Sequence, residues 1–424
     1  MKRRLRHIAV LALVSAFAVV GSCNVTSLSC SNRLERRLAR IDRLLDKFVG
    51  SGQLAGVVAL ALRDGQPFYE RATGWRDREE QKPMLGHTLF RIASFTKAIT
   101  SAAVLLLVEE KKISLHDPLS KYISAFAATR VMVRSPDTNT WAAEPAIRPI
   151  TIHQLLTHTA GISYGTQGEI AEIYRAEGLG PALGSPWNLT GLDAPICEIA
   201  EKLAELPFVK QPGDGFIYGY STDILGCVIE RASKQSLDAF IRKRITGPLA
   251  MNDTHFFIPA MDRDRLAVVY GSKDGKAERV GMLGGYSDGP KKCYSGGAGL
   301  LSTAADYAKF LEMIRLGGTI NGLKILRPES VKLMTTSQIG VSPAGRGFGF
   351  GYGFETTERT GSGVRDSVGS FGWTGAYGTF YRVDPERKLT IILLTQMLPN
   401  GTDVKEKFWN ALYHAVDAAE KPHN

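Results

Sequence analysis

The two ends of this chain carry the same kinds of element in mirrored order, and that constrains the fold more than any other feature. At the front, Leu34, Leu38, Ile41, Leu44, Leu45 and Phe48 recur at helical spacing, with Asn32 or Ser31 as candidate cap and Gly50-Ser51-Gly52 as the stop. A buried strand, Gly56-Val57-Val58-Ala59-Leu60-Ala61-Leu62, turns at Asp64-Gly65 and returns over 67–73 as a hairpin. At the back, 378–383 and 389–396 form two strands joined by Asp384-Pro385-Glu386, and a last helix follows over 404–419. Strands at both ends need partners. The economical solution is one antiparallel sheet built from both termini and flanked by the terminal helices, an α/β (α+β) fold. The middle, about 115 to 290, holds helical segments at 152–157, 195–206 and 222–231 and becomes an inserted helical lobe. A further amphipathic helix spans 302–316. We expect one domain over 34–420, with a sheet lobe of about 34–92 and 295–420, a helical lobe of about 93–294, and a cleft between them. A chain of 424 residues, 44% apolar, can bury such a core.

The first residues read as an export signal. Met1-Lys2-Arg3-Arg4-Leu5-Arg6 is basic, residues 8–20 are apolar but too short to span a bilayer, and Gly21-Ser22 precede Cys23. Val20-Gly21-Ser22-Cys23 resembles a bacterial lipobox, which makes residues 1–22 a signal peptide, Cys23 a lipidation site and 23–33 a short linker. The protein is then expected in the cell envelope or periplasm, touching membrane only through the anchor. Removing Lys2, Arg3, Arg4 and Arg6 takes the formal charge from +10 to about +6. That charge is spread along the chain without a basic block, which argues against nucleic-acid binding. The five cysteines (Cys23, Cys30, Cys197, Cys227, Cys293) form no C-x-x-C pair and show no disulfide framework, so export permits disulfides but no pairing is assigned. His153 and His158 are five apart rather than four, and no metal is expected.

Three segments carry chemistry. Ser94-Phe95-Thr96-Lys97 opens an apolar helix over 95–110, and i, i+3 spacing puts the amine and the hydroxyl on one face. The helix N-terminus favours negative charge, and a Lys in apolar surroundings can act as a base. Pro212-Gly213-Asp214-Gly215-Phe216-Ile217-Tyr218-Gly219-Tyr220-Ser221 is a turn leading into a helix, with a phenol that can share the Ser proton. Phe371-Gly372-Trp373-Thr374-Gly375-Ala376 precedes the terminal strands, where glycine allows close approach of backbone to a ligand. Gly161-Ile162-Ser163-Tyr164-Gly165 also fits G-x-S-x-G, but that motif works as a strand-to-helix elbow, and here it follows a helical segment.

In this order the three segments resemble the serine β-lactamase and penicillin-binding superfamily. The closer likeness is to the class C β-lactamase-like branch with its family VIII carboxylesterases. His153-Gln154-Leu155-Leu156-Thr157-His158-Thr159-Ala160-Gly161 and Ser295-Gly296-Gly297-Ala298-Gly299-Leu300-Leu301-Ser302-Thr303 agree with that branch. The resemblance implies a β-lactamase/transpeptidase-like fold, Ser94 as nucleophile, Lys97 as its base or proton store, and Tyr218 as the phenolic base that also protonates the leaving group. It implies an oxyanion hole from the backbone N–H groups of Ser94 and Ala376, substrate contacts from Trp373, Thr374, Gly375 and Tyr220, and no cofactor. Two departures matter. Trp373 stands where lactamases have a strand Lys, and Tyr220 where they have an Asn. Both remove polar groups that hold a β-lactam, so an ester is the expected substrate. The rivals are a D,D-peptidase or β-lactamase and a catalytically silent envelope binding protein.

Overall fold

The computed structural model describes residues 25–135, 137, 140–281, 283–340, 347–359 and 365–420. Cys23 and the segment expected to be an export signal lie outside them. The first helix, α1 (Val25–Gly50), starts ahead of Ser31 and Asn32. Those two residues therefore continue the helix rather than capping it, and most of the segment read as a linker is helical.

Both chain ends build one sheet, as expected. Its strands are β1 (Gly56–Arg63), β2 (Gln66–Asp77), β3 (Lys82–Pro83), β4 (Phe348–Phe350), β5 (Glu355–Thr357), β6 (Phe371–Gly375), β7 (Thr379–Asp384) and β8 (Leu389–Leu394). They run antiparallel in the order β4-β5-β6-β7-β8-β1-β2-β3. The join between the two ends is β1 against β8, with Val58 opposite Leu394 and Leu60 opposite Ile392. A near-continuous apolar run in β1 is explained by burial on both faces. Alternate residues then serve two cores. Val57, Ala59, Ala61, Ile391 and Leu393 pack with the α1 residues Ile41, Leu45 and Phe48 and with Phe408 and Leu412 of the last helix, Val404–Glu420. Val58, Leu60, Ile392 and Leu394 face the other way, toward α2 (Thr96–Glu109) and the helix Ala304–Arg315.

Helix α2 is buried from Thr96 through Leu107. A helix apolar all round belongs in the centre of a molecule, and this one runs between the sheet and the helical segments. Those segments include α3 (Ile152–Leu156), α4 (Ile196–Ala204) and α5 (Ser221–Ser233), each within a few residues of its expected bounds. Thr151 and Gln154 form a capping box at the start of α3. The middle also carries two strand pairs not foreseen, Arg130–Arg134 with Trp141–Pro145 and Val269–Lys273 with Lys276–Gly281.

The pairing that the sequence left open is settled for two cysteines. Cys197 on α4 and Cys227 on α5 are bonded, with their Cα atoms 4.8 Å apart. A separation of 30 residues says nothing about adjacency. The apolar faces of α4 and α5 create it by packing together. Cys293 is a buried free thiol whose ionisation burial pushes well up.

Candidate active site

Ser94 lies in a tight turn, Ala93–Phe95, that feeds directly into α2. The amides of a first helical turn lack intrahelical partners, so the Ser94 N–H is available to a ligand. Ala93, immediately before it, adopts φ +43°. This left-handed conformation is costly for a residue with a Cβ, and such strain is held only where surrounding packing over-determines it.

Lys97 is almost fully buried, and its Nζ has three polar neighbours. Its Nζ is 2.7 Å from the Gly297 carbonyl oxygen, 3.0 Å from the Tyr164 hydroxyl and 3.4 Å from Ser94 Oγ. The i, i+3 spacing thus brings amine and nucleophile together as expected. The Tyr218 phenol, expected to share the Ser94 proton, meets the amine through its ring. Lys97 Nζ sits over the face of the Tyr218 ring, 4.7 Å from its centroid, in cation–π geometry. The Tyr218 hydroxyl accepts a hydrogen bond from Trp373 Nε1–H at 3.0 Å.

Tyr164 is the residue that sequence reasoning missed. It stood inside the Gly161-Ile162-Ser163-Tyr164-Gly165 segment, which was weighed only for Ser163. A signal was present: Tyr164 lies three residues beyond the His158-Thr159-Ala160-Gly161 stretch that carried part of the resemblance. Its ring meets Tyr218 edge-on at 5.8 Å, and burial, with Tyr218 beside it, pushes its phenol well above the ordinary range. Gly219 permits this pairing. A Cβ there would stand 2.4 Å from the backbone of Ile162 and Ser163. Ser163 itself accepts a hydrogen bond from the Gly165 N–H at 3.0 Å in a loop after α3. No strand-to-helix elbow presents it.

Tyr220 requires a correction. Expected to meet substrate, it is fully buried, and its hydroxyl accepts from the Gly180 N–H at 3.1 Å and donates to the Pro186 carbonyl. The phenol is spent on tying down the 180–186 segment, because a buried hydroxyl must be satisfied. Trp373, Thr374 and Gly375 lie on β6, with Trp373 partly buried, Thr374 exposed and Gly375 buried. A Cβ on Gly375 would fall 2.1 Å from Thr379 Oγ1 and 2.7 Å from the Ile92 carbonyl, so only glycine lets β6 pass the turn that carries Ser94. Ala376 follows at the end of the strand, partly buried.

Around this centre stand His158, Phe216 and Phe350. Phe350 packs on Trp373 at 5.2 Å, and Phe216 on Phe350 at 5.2 Å. His158 is held neutral, first by burial and then by the Lys97 charge. Among the described residues no group of three or more His, Cys, Asp or Glu side chains is placed to hold a metal ion.

A hydroxyl at a helix start, an amine three residues on and two phenols in one aromatic cleft define a serine hydrolase-type enzyme. The comparisons place it within a family. The Beta-lactamase family profile matches residues 41–415, and the chain belongs to that family. Esterase EstB of Burkholderia gladioli is 32% identical over 385 residues, covering 86% of this chain and 91% of EstB. Lovastatin esterase of Penicillium rubens is 28% identical over 410 residues, covering 89% of this chain and 99% of its own. Among solved structures, EstCE1, a hydrolase with promiscuous acyltransferase activity, superimposes with a TM-score of 0.76 at 25% identity, covering 92% of this chain and 99% of its own.

Proposed function

We propose that this enzyme hydrolyses carboxylic esters through an acyl-enzyme on Ser94, with Lys97 and Tyr218 as its proton-transfer groups. The observation that carries the reading is the ammonium of Lys97, held by Gly297 and Tyr164 within 3.4 Å of Ser94 Oγ and over the ring of Tyr218. The reactive pair carries one proton fewer than ammonium plus phenol; Ser94 Oγ attacks the ester carbonyl as its proton passes to that Tyr218/Lys97 pair, and the tetrahedral oxyanion is received by the N–H groups of Ser94 and Ala376. The C–O bond to the alcohol breaks as that proton is returned to the leaving oxygen. Water then attacks the acyl carbonyl, losing its proton to the same pair, and Ser94 is regenerated with release of the carboxylic acid. The residues supply nucleophile, base and oxyanion donors without a cofactor.

Ester rather than lactam is favoured by Trp373. Its indole offers an aromatic face and one N–H, which Tyr218 already accepts, in place of an ammonium able to hold a carboxylate. That two relatives are named esterases supports the same choice. Export, with lipidation at Cys23, is part of the proposal. The Cys197–Cys227 bond supports it, since structural disulfides persist mainly outside the reducing cytosol.

Turnover of p-nitrophenyl butyrate compared with nitrocefin tests the substrate class. Faster hydrolysis of the lactam would transfer the assignment to a β-lactamase or D,D-peptidase. A fluorophosphonate probe should label wild type and Ser163→Ala but not Ser94→Ala. A wild type that resists labelling would make it a silent binding protein. Incorporation of labelled palmitate that disappears in Cys23→Ser tests the anchor.

A further inference from the structure

One carboxyl group in the active-site wall has no part in the chemistry above. Asp223, in the first turn of α5, is fully buried. Its Oδ1 accepts from Ser295 Oγ at 2.5 Å and from the Gly297 N–H at 3.0 Å, while its Oδ2 has no hydrogen-bond partner. A buried carboxylate is expensive, and one left half-satisfied demands an explanation.

The explanation lies in the Ser295–Leu300 segment, singled out by resemblance but so far without a role. This segment runs along α2 and is tied to it repeatedly: Thr100 Oγ1 donates to the Gly296 carbonyl at 2.8 Å, and the Leu300 N–H donates to Thr96 Oγ1 at 3.1 Å. Between those ties the Gly297 carbonyl receives the Lys97 ammonium at 2.7 Å. The same residue therefore meets Asp223 through its N–H and Lys97 through its C=O. Gly297 has no room for a side chain, since a Cβ would stand 2.3 Å from Asp223 Oδ2.

We infer that Asp223 is a positioning residue: acting through Gly297, it sets where the Lys97 amine sits, and its carboxylate supplies a buried negative charge facing that amine. The inference rests on the proposed role of Lys97. Burial raises the Asp223 carboxyl above the usual carboxylate range, and the Lys97 charge, with the Ser295 and Gly297 donors, limits that rise. The other titratable groups facing this pair are Tyr218, whose ring lies 4.7 Å from the Lys97 Nζ, and Tyr164, Tyr220, Tyr286, Cys293 and His158, the last five driven toward their neutral forms by burial. Asp223 is thus the acidic partner to Lys97 in this wall.

The test measures the rate of Ser94 labelling by a fluorophosphonate from pH 5 to 10, in wild type, Asp223→Asn and Ser295→Ala, with the thermal transition of each. Removing the negative charge weakens the hold on every proton shared by Lys97 and the tyrosines. Asp223→Asn should therefore slow labelling at least tenfold at its optimum and move the acid limb of the profile to lower pH. Ser295→Ala, which keeps the charge but loosens the tie, should slow labelling several-fold with the limb unmoved. A folded Asp223→Asn protein with wild-type rate and profile overturns the inference. If that variant does not fold, a wild-type rate in Ser295→Ala overturns it instead. Failure of the ester assignment is read separately, because labelling of Ser94 does not depend on which substrate the enzyme turns over.

Discussion

Trp373→Phe isolates one hydrogen bond of the proposed mechanism. The indole Nε1–H lies 3.0 Å from the Tyr218 hydroxyl oxygen, in the normal range for N–H···O. Phenylalanine keeps an aromatic ring between Tyr218, at 5.4 Å, and Phe350, at 5.2 Å, so most of the packing survives and the donor alone is lost. In the resting enzyme this bond joins two neutral groups and contributes about 1 kcal/mol. When the pair has given up one proton and Tyr218 stands as the phenolate that takes the Ser94 proton, the same bond is charge-assisted and contributes about 1.5–3 kcal/mol. At ~1.4 kcal/mol per decade, the variant should lose about tenfold to 150-fold in kcat. KM should change by little more than twofold, since the donor already serves Tyr218 and not the substrate. Losing a donor to the phenolate also disfavours that form, so the acid limb of the kcat profile should move to higher pH. Steady-state hydrolysis of p-nitrophenyl butyrate across pH, corrected for active sites by fluorophosphonate titration, measures all three quantities. A kcat within twofold of wild type together with an unmoved limb would refute the claim that Tyr218 reacts as a phenolate.

Three other outcomes follow from the geometry. Gly219→Ala would force a Cβ to within 2.4 Å of the Ile162–Ser163 backbone. We expect a loss of about 1–3 kcal/mol in urea unfolding, with labelling of Ser94 slowed as Tyr164 and Tyr218 are forced apart. Replacing Cys197 and Cys227 by Ser opens a loop of 30 residues, worth about 3–4 kcal/mol in the chain-entropy view, and should lower the urea midpoint accordingly. Non-reducing peptide mapping of the wild type should recover the two cysteines linked. His158 is buried and its ring is held neutral, whereas in the unfolded chain it titrates near 6.5. The unfolded state therefore binds the extra proton first, and stability should fall as pH drops below about 6.5. His158→Gln should flatten that part of the stability–pH curve, and an unchanged slope would count against a neutral, buried imidazole.

What could be read from the sequence follows from the range over which each signal acts. The Ser94–Lys97 pair was legible because one helical turn sets its geometry, whatever the rest of the chain does. The sheet was legible because its central strands carry uninterrupted apolar runs, and the terminal helices because one face of each repeats at helical spacing. The start of α1 was not, since Ser31 and Asn32 have capping chemistry that a continuing helix does not use. Strands β4 and β5, at one end of the sheet and three residues each, are too short to show a period. The disulfide, the Tyr164–Lys97 contact and the Asp223–Gly297 tie join residues 30, 67 and 74 positions apart. Packing creates such contacts, and no local pattern announces them.

The two aromatic departures from the lactamase pattern act on different parts of the site. Trp373 faces the chemistry, and its N–H is committed to Tyr218. Tyr220 turns away from it, stacks on Tyr174 and meets Tyr164 edge-on at 4.9 Å. Through Gly180 and Pro186, Tyr220 holds the loop that follows the helix Glu169–Ala176. Its effect on substrate is therefore indirect: it fixes the wall behind Tyr164, and Tyr164 fixes the amine. A small amide at 220 could neither fill that volume nor bridge that loop, so restoring Asn there would loosen the wall before it offered a lactam anything to bind. Tyr220 and Tyr164 in this sense form one packing unit: the aromatic wall that Tyr220 fixes also supplies the phenol that holds the lysine.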